Sequence, residues 1–287
     1  MVPEPAARLR DTGSVAEFWH DLMLYAGAAE FYPRGRLAYP AELTDRLTDE
    51  LGLDGTGRLL DVGCGPGSLT LLLADRFEHA VGIDADADMV REAARLAAAA
   101  GVSGVEWRQM YVEDLPGDLG SFRVVAFAQS FHWMDQHKVA KVVWGMLAPD
   151  GACIHVHATT HRGMATDADL EFPEPPHEAL LELTRRHLDP ARRPRGLDRA
   201  NRSGESDAYR AAGFTGPQQI TVSGSVVTRT REEVIAALFS LSSSTPYQFG
   251  DRRAEFEFEA RRLLDEASPS GLFSEQMREI GVDVWRR

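Results

Sequence analysis

The sequence predicts an α/β fold on a largely parallel sheet, and three observations carry that expectation. Short apolar runs, such as Leu59-Leu60 with Val62 and the stretch Val124 to Phe127, have the length and continuity of strands buried on both faces. Stretches with a helical apolar period alternate with these runs. Between the first strand and the helix opening at Ser68, Gly63, Gly65 and Gly67 stand at alternate positions and turn the chain. Strand, glycine turn and helix are half of a βαβ unit, and turns of this kind receive nucleotide-like ligands against bare backbone.

The elements follow in order. Residues 14–50 read as an N-terminal helical segment: Val15, Phe18, Trp19, Leu22 and Met23 keep a helical period, and Ala41 to Leu51 forms a second helix after Pro40. His79 to Asp84 is the second strand. Asp86 caps a helix from Ala87 towards Ala100, which Gly101 stops. A third strand begins at Val105 and a fourth at Phe122. A helix over Lys138–Leu147 precedes a fifth strand, Ala152 to Ala158. Residues 161–205 hold Pro173, Pro175, Pro176, Pro190 and Pro194, and read as an insertion over the site. Ser206 to Ala212 is a short helix, Gln218–Val222 a strand, and Arg231–Ser242 and Asp251–Glu266 are helices. Arg278–Trp285 closes the chain as a strand. The division is one domain, with a cap over 1–50, a core over 51–160, the insertion, and C-terminal strands and helices over 206–287.

Composition bounds the function. The chain has 287 residues, 44% apolar and 26% charged, enough for one large α/β domain. A net charge of −13 disfavours nonspecific attraction to nucleic acid or anionic membrane. Two cysteines, Cys64 and Cys153, give no disulfide framework, so a reducing cytoplasm is the simplest location. The N-terminus shows no secretion signal, and no apolar run approaches the ~20 residues of a membrane span.

The spacing at the turn argues against a dinucleotide site, because that fingerprint needs glycine where Ser68 stands. Pro66 removes an N–H from any phosphate cradle, and Asp61 would repel phosphate while suiting a cation. Asp61-x-Gly63-x-Gly65-x-Gly67 resembles the first motif of the class I S-adenosylmethionine (SAM) dependent methyltransferases. Tyr32, Arg36, Tyr39 and Pro40 are similar to the Tyr-x-x-x-Arg-Pro-x-Tyr-Pro segment of the trans-aconitate-type, small-molecule group, with Leu37 in place of proline. The stretch Phe122 to Asp135, with Gln129, Ser130, His132 and Trp133, resembles that group's fourth strand and exit loop, with Arg123 in place of Asp. The resemblance covers Tyr32 to about Ala158. It implies a Rossmann-like sheet of seven strands flanked by helices, the last strand antiparallel beside the fifth.

The resemblance also implies the cofactor, SAM, with S-adenosylhomocysteine as product, and the residues around it. Asp61 works near the amino-acid moiety, with Gly63, Cys64 and Gly65 forming the turn, while Tyr32 and Arg36 reach over the ligand. An arginine suits a carboxylate because its planar fork binds bidentately. Asp84, with Ala85 beside it, sits where a carboxylate accepts both ribose hydroxyls, an arrangement that NAD and SAM sites share. Met89 packs on the adenine or in the core. Tyr111 stands where the family has Asp, leaving the Val112 N–H to meet a ring nitrogen of the base, with Glu113 or Asp114 near its amino group. Gln129 and Ser130 lie beside the methionine half.

A hydroxyl acceptor needs proton removal, for which a histidine near its usual pKa of about 6.5 is matched. His132 is the candidate base; the competing reading has its ring bonding a neighbouring loop. Tyr25, Trp133, Phe239 and Tyr247 are candidate acceptor-pocket residues, and His157 is a candidate second base. His155, His157 and His161 could suggest metal, but no carboxylate cluster beside them resembles the cation-dependent catechol methyltransferases, so none is expected. The arginines at 185, 186, 192, 193, 195, 199 and 202 read as a solvated insertion or as a recruiter of anionic acceptors. The expected activity is methylation of a hydroxyl, amine or carboxylate on a small organic molecule, by a monomer or homodimer with no nucleic-acid or membrane partner. The alternatives are a SAM-binding regulator or cyclisation catalyst and, behind these, an RNA methyltransferase. Ser130 lacks the flanking glycines of a nucleophile elbow, so hydrolysis is not supported.

Overall fold

A computed structural model describes residues 24–194 and 204–287. The helix read over Val15 to Met23, and Arg195, Arg199 and Arg202, lie outside the described residues. The chain opens with a short turn of helix α1 (Tyr32–Gly35) and helix α2 (Ala41–Leu51), which ends on Gly52 in a left-handed cap. Strand β1 (Arg58–Val62), helix α3 (Ser68–Leu73), strand β2 (His79–Asp84), helix α4 (Ala87–Ala100) and strand β3 (Val105–Gln109) form the first βα repeats. Strand β4 (Phe122–Ala128), helix α5 (Gln136–Met146) and strand β5 (Leu147–His157) continue them.

Helix α4 begins as its sequence requires. The Asp86 carboxylate accepts from the Asp88 and Met89 N–H groups, and Gly101 ends the helix in a left-handed conformation.

Beyond β5 come helix α6 (His177–His187), helix α7 (Glu205–Ala212) and strand β6 (Thr215–Val222). Strand β7 (Val226–Thr230), helix α8 (Arg231–Phe239), helix α9 (Pro246–Phe249) and helix α10 (Arg253–Ala267) follow. Strands β8 (Leu272–Gln276) and β9 (Ile280–Arg286) complete the chain.

The main sheet has seven strands in the order β3-β2-β1-β4-β5-β9-β6. Pairings from β3 to β5 are parallel, and β9 lies antiparallel between β5 and β6. This is the sheet that the sequence implied, last strand included. Its order reverses between β1 and β4, the point where open α/β sheets receive ligands at their carboxyl ends.

Alternate strand residues feed two cores. Leu60, Val62, Val125, Phe127 and Cys153 pack with α5 and α7 on one face. Leu59, Val124, Ala126, Ile154 and Val156 pack with α2 and α3 on the other. Burial on both faces is why these strands are apolar throughout instead of alternating.

The C-terminal part departs from expectation in three ways. Helix α6 fills the centre of the proline-rich insertion. Strands β7 and β8 form a separate two-stranded antiparallel sheet across residues 231–271, from Val226 opposite Gln276 to Thr230 opposite Leu272. Around that sheet Phe31, Phe239, Phe249, Phe256 and Phe273 build a third core with α6, α8 and α10. Finally, β5 starts at Leu147, five residues before the expected Ala152, so the Ala148–Gly151 turn lies within the strand's span.

Candidate active site

The carboxyl ends of β1, β2 and β4 open on a cleft of about 1330 Å³, open to solvent at its mouth. Its floor is the glycine turn. Gly63 and Cys64 donate their N–H groups to the Ile83 carbonyl at 2.9 and 3.0 Å, which stitches the turn to β2. Two glycines there are required on separate grounds. Gly63 has φ +68°, and a Cβ on it would stand 2.6 Å from the Ser130 Cβ. Gly67 has φ +81°, and its Cβ would stand 2.4 Å from the Trp107 ring. Both conformations favour glycine, and neither position has room for a side chain.

Asp84 ends β2 and faces the cleft. Its carboxylate accepts from the Gly65 N–H at 2.8 Å and from the Asp86 N–H at 2.9 Å, so turn and strand end hold it from both sides. Burial pushes its pKa up to about 6, against the pull of those two N–H groups. Asp61 is fully buried and does not line the cleft. Thr70 donates to its Oδ2 at 2.6 Å, while Oδ1 is a buried acceptor with no partner. Burial, opposed by the Thr70 bond and aided by the charge of Asp84, lifts Asp61 to about 7. The role that the resemblance implies for Asp61 therefore does not rest on its lining the cleft.

Cys64 is buried at the cleft floor. Burial, with Asp84 and Asp61 adding, holds its thiol well above the usual range.

Tyr32, Arg36, Gly63, Cys64, Gly65, Asp84, Ala85, Met89, Val112, Glu113, Gln129 and Ser130 all line this one cleft. Met89 lines the cleft and also packs with Ala28, Ala29, Tyr25 and Tyr32. Gln129 has φ +59°, a conformation uncommon for a side-chain-bearing residue and one that accompanies functional constraint. Its amide donates to the Val156 carbonyl at 3.0 Å, and the Ser130 hydroxyl donates to the Val62 carbonyl at 2.5 Å. These two bonds fasten the exit of β4 to both neighbouring strands.

Arg36 leans on the Tyr32 ring, with Cζ 4.8 Å from the centroid, and donates to the Ser240 hydroxyl at 2.8 Å and to its carbonyl at 3.0 Å. The N-terminal connector thereby forms one wall of the cleft.

Of the expected acceptor residues, Tyr25 and Trp133 line the cleft and four other candidates do not. His132 is 4% exposed and sits beside the Trp133 ring, at 4.9 Å between centroids, so the candidate base is buried away from the cleft wall. His157, the last residue of β5, faces solvent and stands 3.2 Å from Asp283 on the neighbouring β9. Phe239 is consumed by the aromatic core with Phe31, Phe249 and Phe256. Tyr247 lies under Arg192, whose Cζ is 5.1 Å from its ring.

Among the described residues, nothing after Thr160 lines the cleft. Among the described arginines of the insertion, Arg185 is exposed and Arg186 lies 3.8 Å from Glu259. His161 is held neutral, its pKa lowered to about 3 by burial and by the charges of Arg36, Arg162 and Arg229.

Met110, Met134 and Thr160 line the cleft and were not singled out from the sequence. Met110 directly follows β3, so the rule that found Asp84, namely to look just past a strand's carboxyl end, would have found it too.

Comparison with known proteins agrees with this geometry. Residues 59–151 match the methyltransferase domain family. Trans-aconitate 2-methyltransferase of Mycobacterium ulcerans is 27% identical over 148 residues, covering 49% of this chain and 47% of that protein. Indeed, the chain spans about half the length of the curated relatives it matches. Two solved structures share the fold at a TM-score of 0.50 each. YjhP from E. coli is 16% identical, over 93% of this chain and 99% of that one. The [4+2]-cyclase SpnF is 22% identical, over 88% and 84%.

Proposed function

We propose that this chain, whose residues 59–151 match the methyltransferase domain family, moves a methyl group from SAM to a small organic acceptor in the cleft. The carrying observation is Asp84, held by two N–H groups at the carboxyl end of β2 beside a side-chain-free turn. A carboxylate so placed accepts both hydroxyls of a ribose, and a turn without Cβ atoms lets the nucleoside lie close. The partnerless Asp61 Oδ1 adds a buried acceptor beneath the turn, suited to a positively charged ligand. Met89 and the 111–113 segment flank the base in this reading. Arg36 and Tyr32 close over the amino-acid end.

SAM supplies an electrophile that is already activated, a methyl group on a sulfonium. The protein's share is to hold the acceptor in line and exclude water, worth roughly 7–11 kcal/mol of barrier in favourable cases. Among the described residues no histidine lines the cleft. Tyr25, held protonated by burial with a pKa of about 12, does not serve as a base near neutral pH. An acceptor that presents its own lone pair at neutral pH, a carboxylate or an amine of low pKa, therefore suits the cleft better than a hydroxyl needing deprotonation.

A thermal-shift series tests the reading. SAM and S-adenosylhomocysteine at about 100 times Kd should stabilise the chain by roughly 2.7 kcal/mol, and NAD should not. A shift with NAD and none with either sulfur ligand overturns the proposal. A shift with no methyl transfer to any carboxylate or amine favours a SAM-binding, non-methylating role.

Affinity should also depend on pH in a defined sense. Asp84 accepts hydroxyl protons only when ionised, and its pKa in the free protein is about 6. SAM binding is therefore full above pH 7 and falls by about tenfold per pH unit below 6. Calorimetric titrations between pH 7.5 and 5.0 read this directly, and a flat profile removes Asp84 from the contact.

A further inference from the structure

We propose that His155, His157, Glu205 and Asp283 form a binding site for a divalent transition-metal ion of the zinc class. His155 and His157 are two apart on β5, so their imidazoles rise from one face of the sheet, with ring centroids 4.3 Å apart. Strand β9 runs antiparallel beside them with Asp283 opposite His155, which places its carboxylate on the same face. The Asp283 Oδ2 is 3.2 Å from the His157 Nε2. Glu205, in the first turn of α7, brings its Oε2 to 3.9 Å from the His155 Nδ1. His155, His157 and Glu205 each offer one ligating atom, and these lie within 4.8 Å of one another. The carboxylates absent from the neighbouring sequence are thus delivered by two distant elements, β9 and α7.

Two imidazoles with two carboxylates make a mixed nitrogen and oxygen set, which suits zinc or cobalt and not the all-oxygen shells of calcium or magnesium. Bonds of about 2.1 Å to a tetrahedral ion place donors roughly 3.4 Å apart, so closing the present cluster takes side-chain rotation by about an ångström. The setting supplies the rest. His155 is 3% exposed under the rings of Phe131 and Tyr209. Gln219 donates to the Asp283 Oδ1 at 3.0 Å, the outer hydrogen bond that orients a ligand or its partner. None of the four residues lines the SAM cleft, so the site is separate from the proposed reaction. An ion here would pin α7 to β5 and β9.

The test uses the full chain, freed of metal with a chelator and titrated with Co²⁺ and then Zn²⁺. One equivalent of Co²⁺ should bind with the intense visible bands of tetrahedral coordination and be displaced by Zn²⁺. His157→Ala and Glu205→Gln should each lower affinity at least tenfold, and Asp283→Asn by about 10–100-fold. The His157 side chain reaches solvent, and far-UV circular dichroism checks that each variant is folded. Glu259→Gln is the control, because His187, Glu255 and Glu259 form a second cluster of candidate ligands. The proposal is overturned by three outcomes: no stoichiometric binding, binding that His157→Ala and Glu205→Gln leave unchanged, or binding that only Glu259→Gln removes.

Discussion

Replacing Asp84 with Ala is expected to weaken SAM binding by about a hundredfold or more, because two hydrogen bonds to a charged acceptor contribute about 1.5–3 kcal/mol each. The carboxylate cannot be lent by a neighbour. Asp86 caps α4 through its own side chain, and Asp61 lies buried off the cleft with Thr70. The loss should be specific to the ligand. The Gly65 and Asp86 N–H groups freed by the change lie beside the open cleft, where water can take the bonds. Isothermal titration with SAM, together with the unfolding midpoint of the ligand-free variant, separates the two effects. Wild-type affinity in Asp84→Ala would remove the ribose contact from the proposal.

The second large effect lies far from the turn. Arg229 and Glu275 are both buried, and they meet at 3.2 Å. The guanidinium also donates to the carbonyls of His161 at 2.8 Å, and of Gly35 and Glu233 at 2.9 Å each. Glu275 additionally accepts from the Gly163 N–H and lies against the His177 ring, each at 2.7 Å. Burial works to raise the Glu275 pKa, but the bonds from His177 and Gly163 and the Arg229 charge take it below the usual carboxylate value. Its contribution to stability is therefore present above the unfolded pKa and lost as pH falls through the lowered one.

Glu275→Ala leaves Arg229 charged and unpaired indoors, which costs about 3–5 kcal/mol. At 2–4 °C per kcal/mol for chains of this order, the melting temperature should drop by roughly 10 °C. The double variant Arg229→Met with Glu275→Leu should recover most of that drop, since replacing both charges removes the penalty. If the double variant is no more stable than Glu275→Ala, the charge explanation fails.

How much of this could be read from the chain depended on distance along it. The glycine turn, Asp84 and the Gln129-Ser130 exit are each contained in about a dozen consecutive residues, and their spacing alone places them at strand ends. Seven strands of the main sheet followed from the same local logic, and their order from the resemblance to the class I methyltransferases. Where partners are far apart in sequence, the reading stopped. Nothing near Glu275 announces Arg229, because β7 and β8 pair across three helices. Nothing near His155 announces Asp283, which reaches it only when β9 folds back between β5 and β6. Phe239 and His132 look like pocket residues in isolation, but an aromatic side chain goes where the largest apolar burial is available. For Phe239 that is the C-terminal core. Trp107 is a related case: its ring covers both Gly67 and Gly82, a packing that only the folded sheet reveals.

Cys64 beneath the turn, together with Cys153 in the sheet core, bears on how the molecule meets oxidants. Thiolate is the reactive form, and desolvation keeps both sulfurs protonated, Cys153 with a pKa of about 12. A disulfide reagent thus finds no exposed thiolate on the chain. The scarcity of cysteine that suggested a reducing compartment is equally compatible with an oxidising one.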